Sequence, residues 1–260
     1  MRQVLGFDLY IGVDYSGAET AESRLRGLQV YQATDGMPER VTAPSAPEGR
    51  HWNWSRREIA AWLVEQARGE RRFIAGLDHS LSFPLSYFRR YGLSSWDDFL
   101  ADFVQHWPTH EPHTYVDFIR DWGSARRGSA KELRLCERWT SSAKSVFRFA
   151  GQGQVAKSTH AGIPWLWHIR NEVGERVHFW PFDGWDIPES MSVIAEVYPA
   201  ILRNRYGREG RNPHEHDAYS VARWLRESCQ NGFLARYLAP PLTEREQEIA
   251  ELEGWILGIS

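Results

Sequence analysis

Three apolar segments of this chain run directly into an acidic residue, and turn-forming residues follow within a few positions. The segments read "YIGVDYSGA", "RRFIAGLDHSLSFP" and "SVIAEVYPA", and their acids are Asp14, Asp78 and Glu196. Short apolar runs that end at Ser, Gly or Pro are typical of buried β-strands. The pattern therefore predicts a sheet in which several strands end in a carboxylate.

Carboxylates at the ends of neighbouring strands are expected to lie close together. Equivalent strand ends are adjacent in one sheet, and ligands gather where the connections from those ends diverge. A fourth acid lies in the first turn of the helix predicted for "NPHEHDAYSVARWLRESCQNG" and is within reach of the same place. The sequence thus predicts one cluster of four acids, Asp14, Asp78, Glu196 and Asp217.

A cluster of four carboxylates repels itself unless protons or cations neutralise it. Sites built only from oxygen ligands suit hard cations, which here means Mg²⁺ or Mn²⁺. Two such ions about 4 Å apart activate water and stabilise the leaving oxygen of a phosphodiester. We therefore predict that the four acids are both the metal ligands and the catalytic residues of a hydrolase.

Each acid also has a plainer interpretation. A strand-end Asp often caps a turn through its own side chain, and Asp217 near a helix start favours the helix dipole. The repetition of strand followed by acid is what favours a site. His214 lies one helical turn before Asp217, so it is either a further ligand, which would favour Mn²⁺ or Zn²⁺, or a solvent-facing residue at the helix start.

The rest of the chain predicts one α/β domain over residues 1–260. Its first strands, in "QVLGFDLYIGVDYSG", "LRGLQVYQAT" and "ERVTAP", are spaced for an antiparallel meander. A capping box of Ser55 and Glu58 begins a helix that follows them. Residues 85–170 carry helical segments, among them "AKELRLCERW", and we interpret them as an insertion because strand-like segments resume afterwards.

Composition limits the possible functions. With 260 residues, 42% of them hydrophobic, the chain supports a sizeable core. A net charge of −3 argues against a protein that coats duplexes non-specifically, although it leaves room for a local basic groove. The two cysteines have no metal-like spacing. No signal-peptide core or membrane-length apolar run is present, so we expect no membrane association and a cytoplasmic protein. The sequence does not predict an oligomeric state.

A phosphate-binding loop is suggested by "GQGQVAKST" but is not favoured. The loop requires a second glycine where this chain has Ala156, and a Cβ there obstructs the wrap around the phosphates. Lys157 remains a candidate point charge for a substrate phosphate. We predict Ser16, Lys157 and Arg148 as substrate-binding residues. Basic stretches that include Lys131, Arg134 and Arg148 are candidates for one face that follows a nucleic-acid backbone, or else ordinary solvated surface.

Five stretches, in order, carry a family resemblance: "IGVDYSGA", "IAGLDHSLSFP", "IAEVYPA", "HDAYSVA" and "EGWILG". With them the chain resembles the predicted nucleases of domain-of-unknown-function family 429, in the RNase H-like superfamily. The resemblance implies a mixed sheet, with three antiparallel strands first and parallel strands later, flanked by helices. It also implies an acidic site formed by Asp14, Asp78, Glu196 and Asp217.

Three functions remain open from the sequence. The first is a metal-dependent nuclease or phosphodiesterase that acts on nucleic acid. The second is a non-catalytic binding or scaffold protein that keeps the RNase H fold. The third is a nucleotide-binding enzyme of the actin-like or sugar-kinase type, because "GVDYSGA" is similar to the first phosphate loop of that group. However, "LDHSLS" lacks the glycine of the second loop, and we find no adenosine motif.

Overall fold

The sheet has six strands in the order β3-β2-β1-β4-β6-β5. In this computed structural model the chain is described over residues 6–50, 52–123, 125–140, 142–150 and 155–260. The strands are β1 (Leu9–Asp14), β2 (Gln29–Ala33), β3 (Glu39–Arg40), β4 (Phe73–Leu77), β5 (Val177–Phe179) and β6 (Ser192–Glu196). The first three pair antiparallel, whereas β1 with β4, β4 with β6 and β5 with β6 pair parallel. The predicted fold class is confirmed, and the mixed sheet is of the RNase H-like type.

The helices account for most of the remaining structure. They are α1 (Arg56–Arg68), α2 (Leu85–Tyr91), α3 (Trp96–His106), α4 (Val116–Trp122), α5 (Leu135–Trp139), α6 (Ala156–Val173), α7 (Pro213–Gln230), α8 (Leu234–Tyr237) and α9 (Glu244–Glu253). The predicted capping box of Ser55 and Glu58 begins α1. No helix in the described ranges is both long and apolar enough to cross a membrane.

The central strands are buried along their whole length. Every residue of β1, β4 and β6 is buried, as expected for strands that have helices on both faces of the sheet. β3 has only two residues and lies at the edge, so the weak third strand predicted in "ERVTAP" is confirmed only at its start. Pro44, which lacks a backbone N–H, ends that segment.

The side chains of the strands alternate between two cores. Ile11 and Val13 face the core that contains α1 and α6, whereas Tyr10 faces the core that contains α7. α7 lies directly against the sheet at Gly12, where a Cβ would stand 2.1 Å from the carbonyl oxygen of Ala218. This close approach brings the start of α7 to the carboxyl end of β1.

Helices α2 to α6 lie between β4 and β5, where the sequence predicts an insertion. Their aromatic side chains join the core of the sheet, and the Phe83 ring lies 5.3 Å from that of Phe99 and 5.4 Å from that of Phe103. Within "AKELRLCERW" only α5 is helical, so the helix predicted there is too long. The backbone of Arg134 is extended, and its N–H donates to the Glu137 carboxylate, which starts the helix at the next residue.

Candidate functional site

Asp14 and Asp78 stand side by side at the carboxyl end of the sheet. Asp14 is the last residue of β1, and Asp78 directly follows β4. Val13 pairs with Leu77 in the parallel register, and the Asp78 N–H donates to the Val13 carbonyl at 3.0 Å, which extends the pairing to the two acids. Equivalent positions in a parallel register project to the same face, here the face of α7.

The two carboxyl groups lie close enough for each to shift the pKa of the other, and a hydrogen bond between them requires a proton on one of them. Burial raises the pKa of Asp78 well above its usual value, and the neighbouring charge of Asp14 raises it further. Burial also raises the pKa of Asp14, but less, because Asp14 accepts hydrogen bonds from His214 and Asp78. Asp78 is therefore the carboxyl of the pair that keeps its proton to the higher pH. Apposed carboxylates of this kind need either that proton or a cation between them.

The first turns of α7 complete this side of the site. The Asn212 side chain accepts the N–H groups of His214 and Glu215 and so begins the helix. His214 Nδ1 lies 2.8 Å from Asp14 Oδ2, and this hydrogen bond raises the pKa of the imidazole. Asp217 follows one turn later, and burial raises the pKa of its carboxyl.

Asp217 lies near enough to Asp14 and Asp78 for its charge to raise the pKa of both. Its only ion-pair partner in the described chain is Arg203, at 3.9 Å, and the Arg203 side chain is largely exposed. The structure thus brings Asp14, Asp78 and Asp217 together, with His214 beside them. His214 faces solvent at the helix start, with its side chain 49% exposed, and it also hydrogen-bonds an acid of the cluster.

Glu196 is the exception among the four acids. It is the last residue of β6, but it pairs with Leu77, one position before Asp78. Because side chains alternate along a strand, Glu196 projects to the opposite face of the sheet from Asp78. There the buried Arg134 guanidinium binds it twice, through Nη1 to Oε2 at 2.7 Å and through Nη2 to Oε1 at 2.6 Å.

The remaining acceptor positions of Glu196 are also in use. The Ser80 hydroxyl and the Leu81 N–H donate to its two oxygens at 3.3 and 3.2 Å. Arg134 in turn donates to Ser80, to the Glu137 carboxylate and to the Glu253 carbonyl. Glu196 is thus charge-compensated within a buried network that fixes the segment after Asp78. Its charge still raises the pKa of Asp78.

Nothing in the sequence indicates the role of Arg134. It stands in a basic stretch and was expected on a surface, but its side chain is 1% exposed. Its partner Glu196 lies 62 residues further along the chain. A neighbouring acid at the i+3 position, Glu137, is the single local feature that fits a paired arginine.

The donor set fits a hard cation in part. Among the described residues, no group of three or more His, Cys, Asp or Glu side chains is placed to hold a metal ion. However, Mg²⁺ is commonly held by one or two carboxylates and keeps several waters. Asp14 and Asp78 offer that pair, with Asp217 and His214 at its rim. Glu196 does not fit as a ligand while Arg134 occupies both of its oxygens.

Ser16 lies at the rim of the site. A Cβ placed on Gly27 would stand 3.2 Å from the Ser16 Cβ and 3.5 Å from the His214 Cε1, so these two side chains flank Gly27. The buried guanidinium of Arg56 donates to three backbone carbonyls of the turn after β1, including Ser16 at 3.0 Å. These bonds fix the turn that holds Ser16 next to the acids.

Lys157 approaches the same turn through its backbone. A Cβ on Gly17 would lie 1.9 Å from the Lys157 carbonyl oxygen, so the start of α6 packs directly on the turn. The Lys157 ammonium, however, lies 2.6 Å from Asp117 Oδ2. Arg148 is exposed, and its Nε donates to the Ala150 carbonyl at 3.3 Å. The first four residues of the "GQGQVAKST" stretch, residues 151–154, lie outside the described residues.

Comparison of the chain with protein-family models, with curated proteins and with solved structures gives no match. The family resemblance, the nuclease activity, the metal requirement, the nucleic-acid partner and the cytoplasmic location therefore stay predictions. The geometry of the acids is the basis for the function proposed below.

Proposed function

We propose that this chain is a divalent-metal-dependent nuclease or phosphodiesterase that hydrolyses a nucleic-acid phosphodiester. One observation carries the proposal: Asp14 and Asp78 lie side by side at the ends of adjacent parallel strands, where burial raises the pKa of both carboxyls. A pair of this kind releases its proton when a divalent cation binds between the oxygens. We propose Mg²⁺ or Mn²⁺ as that cation.

The side chains around the pair have distinct proposed roles. Asp14 and Asp78 hold the cation, which, when bound, supplies charge stabilisation to a phosphoryl group and acidifies water. His214 fixes the orientation of the Asp14 carboxylate through Nδ1. Asp217 adds a second negative charge at the accessible rim, where it orients water and any further cation. Ser16 lies where a substrate phosphate would enter.

Glu196 has a positioning role in this proposal rather than a ligand role. Together with Arg134 it holds Ser80 and Leu81, and these residues belong to the segment that begins at Asp78. The ion pair with Arg134 also favours a second candidate function, a non-catalytic RNase H-fold binding protein. One of the four expected acids is neutralised within the protein, as is expected where catalysis has been lost.

Cleavage assays separate the two candidates. A labelled oligonucleotide, as single strand or duplex, is incubated with Mn²⁺ and either wild-type protein, Asp14→Asn or Asp186→Asn. Asp186 is exposed and lies away from the acids, so its variant is the matched control. We expect divalent-dependent cleavage by the wild type and the control, and a loss of at least about 100-fold in Asp14→Asn. Equal rates for all three proteins would refute the assignment of Asp14.

A further inference from the structure

A cavity of about 600 Å³ lies between α2, α5 and α9. Three cationic side chains line it: Arg89 from α2, Lys131 from the segment before α5, and Arg138 from α5. We call it the basic cleft and define it by these three residues. Its volume is in the range of ligand-binding clefts.

None of the three cations forms an ion pair within the described chain. Arg89 and Lys131 are exposed, and their side chains have no hydrogen-bond partner among the described residues. Arg138 is also exposed, and its guanidinium donates only to the backbone carbonyl of Leu133, at 3.2 Å. Three unpaired positive charges around one concavity attract an anion and concentrate it there.

The two acids that line the cleft are already engaged elsewhere. Each carboxylate oxygen of Glu132 accepts a hydrogen bond from Arg90, at 2.9 Å. Glu253 is 3% exposed and accepts the backbone N–H groups of Leu85 and Leu135. Three cations line the cleft against two acids, and one of these acids, Glu132, is paired with Arg90, so the net charge that faces a ligand is positive.

The remaining lining is mainly aliphatic, for example Leu85 and Ile249, and none of the cleft's lining residues, all in the described chain, is aromatic. Proteins that recognise single bases generally stack them on aromatic rings, whereas lysine and arginine side chains bind backbone phosphates without regard to sequence. The chemistry of the cleft therefore suits phosphodiester groups rather than bases.

One chain segment connects the cleft to the acidic site, and a second connects the cleft to Glu196. The segment that begins at Asp78 ends at Pro84, which lines the cleft. Arg134, which binds Glu196 at the end of β6, directly precedes Leu135, which also lines the cleft. Both sites thus lie beyond the carboxyl end of the sheet, and the segment that joins them, after Asp78, is held by hydrogen bonds to Glu196 and Arg134.

We propose that the basic cleft binds the sugar–phosphate backbone of the nucleic-acid strand that is presented to the acidic site. The choice of a nucleic acid rests on the proposed function, but the cleft itself needs neither the cation nor the four acids. Binding is therefore measured without divalent ions, so that it does not depend on cleavage.

The test is fluorescence anisotropy with a labelled single strand of about 20 nucleotides, longer than one binding groove occupies. The cleft variant carries Arg89→Gln, Lys131→Gln and Arg138→Gln. Its control carries Arg71→Gln, Arg176→Gln and Arg236→Gln, three exposed cations outside the cleft that change the net charge equally. Arg71 and Arg176 precede β4 and β5, at the opposite end of the sheet from the acids.

We expect the cleft variant to bind the strand at least about tenfold more weakly than the control. We also expect the slope of log K against log salt to be smaller in magnitude by about 2 in the cleft variant. Thermal melting checks that both variants are folded, and Lys131→Gln alone gives a smaller effect of the same sign if the triple variant unfolds. Equal affinity and equal slope in the cleft and control variants would overturn the proposal.

Competition identifies the source of the phosphate. If inorganic phosphate or a mononucleotide at equal phosphate concentration displaces the strand completely, the cleft takes an isolated phosphate ester and the strand proposal fails. If the wild-type protein binds the strand through the cleft but cleaves nothing, the proposed function is refuted and this inference stands. If instead the cleft variant cleaves a small diester as fast as the wild type and also binds the strand equally well, the proposed function stands and this inference fails.

Discussion

The raised pKa of Asp78 is the residue-level property on which the site depends. Asp78 is partly buried beside Asp14, and the neighbouring charges of Asp14 and Asp217 add to the effect of burial. All of these causes raise its pKa. The folded protein therefore keeps the Asp78 proton to a higher pH than the unfolded chain, which releases it near pH 4.

This proton makes stability depend on pH. An acid whose pKa is higher in the folded than in the unfolded state costs stability as the pH rises from about 3.9 towards the folded value. Asp78→Asn removes that cost because the amide is neutral at every pH. In EDTA at pH 8 we expect the variant to melt higher than the wild type, by about 2–4 °C for each kcal/mol relieved, with a smaller difference at pH 5.

Differential scanning fluorimetry at the two pH values measures this effect, and Asp186→Asn serves as the control for loss of a charge. Both melting temperatures are compared between pH 5 and pH 8. If that of the wild type rises by more than that of Asp78→Asn, the raised pKa of Asp78 is contradicted.

The ion pair between Arg134, which precedes α5, and Glu196, which ends β6, determines whether Glu196 has a positioning role or a ligand role. The Arg134–Glu196 pair is buried on both sides, so removing one partner leaves an uncompensated charge. We expect Arg134→Gln to lower the free energy of unfolding by about 3–5 kcal/mol. Glu196→Gln is expected to destabilise as well, and the double variant to lose less than the sum of the two single ones.

Urea denaturation of the two single variants and the double variant gives the coupling energy. If instead Glu196→Gln keeps the wild-type stability but abolishes divalent-dependent cleavage, Glu196 is a catalytic ligand and its positioning role is refuted.

The contact of α7 with the sheet sets the distance between His214 and Asp14. At Gly12 a Cβ would meet the Ala218 carbonyl at 2.1 Å, so Gly12→Ala forces the helix and the strand apart. We expect a loss of about 1–3 kcal/mol in the free energy of unfolding and weaker cation binding. Gly36→Ala, at a glycine with open space around it, is the matched control, and equal urea midpoints for both variants would contradict this packing.

Strand identity and the approximate meeting place of the acids could be predicted because both follow from local patterns. The apolar runs before Asp14, Asp78 and Glu196 are indeed β1, β4 and β6, all parallel, so their ends meet at one edge. The face on which each acid lies could not be predicted, since it depends on a register shift of one residue between β4 and β6. Pairing with Arg134 likewise depends on contacts that are remote along the chain.

As a whole, the molecule separates an acidic region from a basic one. The acids converge between the sheet and the start of α7, while the basic cleft lies across the segment after Asp78, near α9. A net charge of −3 hides this separation, because net charge averages over all surfaces. The local basic groove for which the sequence leaves room is therefore compatible with an acidic chain. Lys131 belongs both to a basic stretch of the sequence and to the basic cleft.

The exchange of a proton for a divalent cation at Asp14 and Asp78 is tested most directly by calorimetric titration with Mn²⁺ at pH 7, in two buffers of different ionisation enthalpy. We predict binding in which about one proton is released per ion, and loss of both the binding and the release in Asp78→Asn. Absence of Mn²⁺ binding by the wild type, or binding that releases no proton and persists in Asp78→Asn, would contradict it.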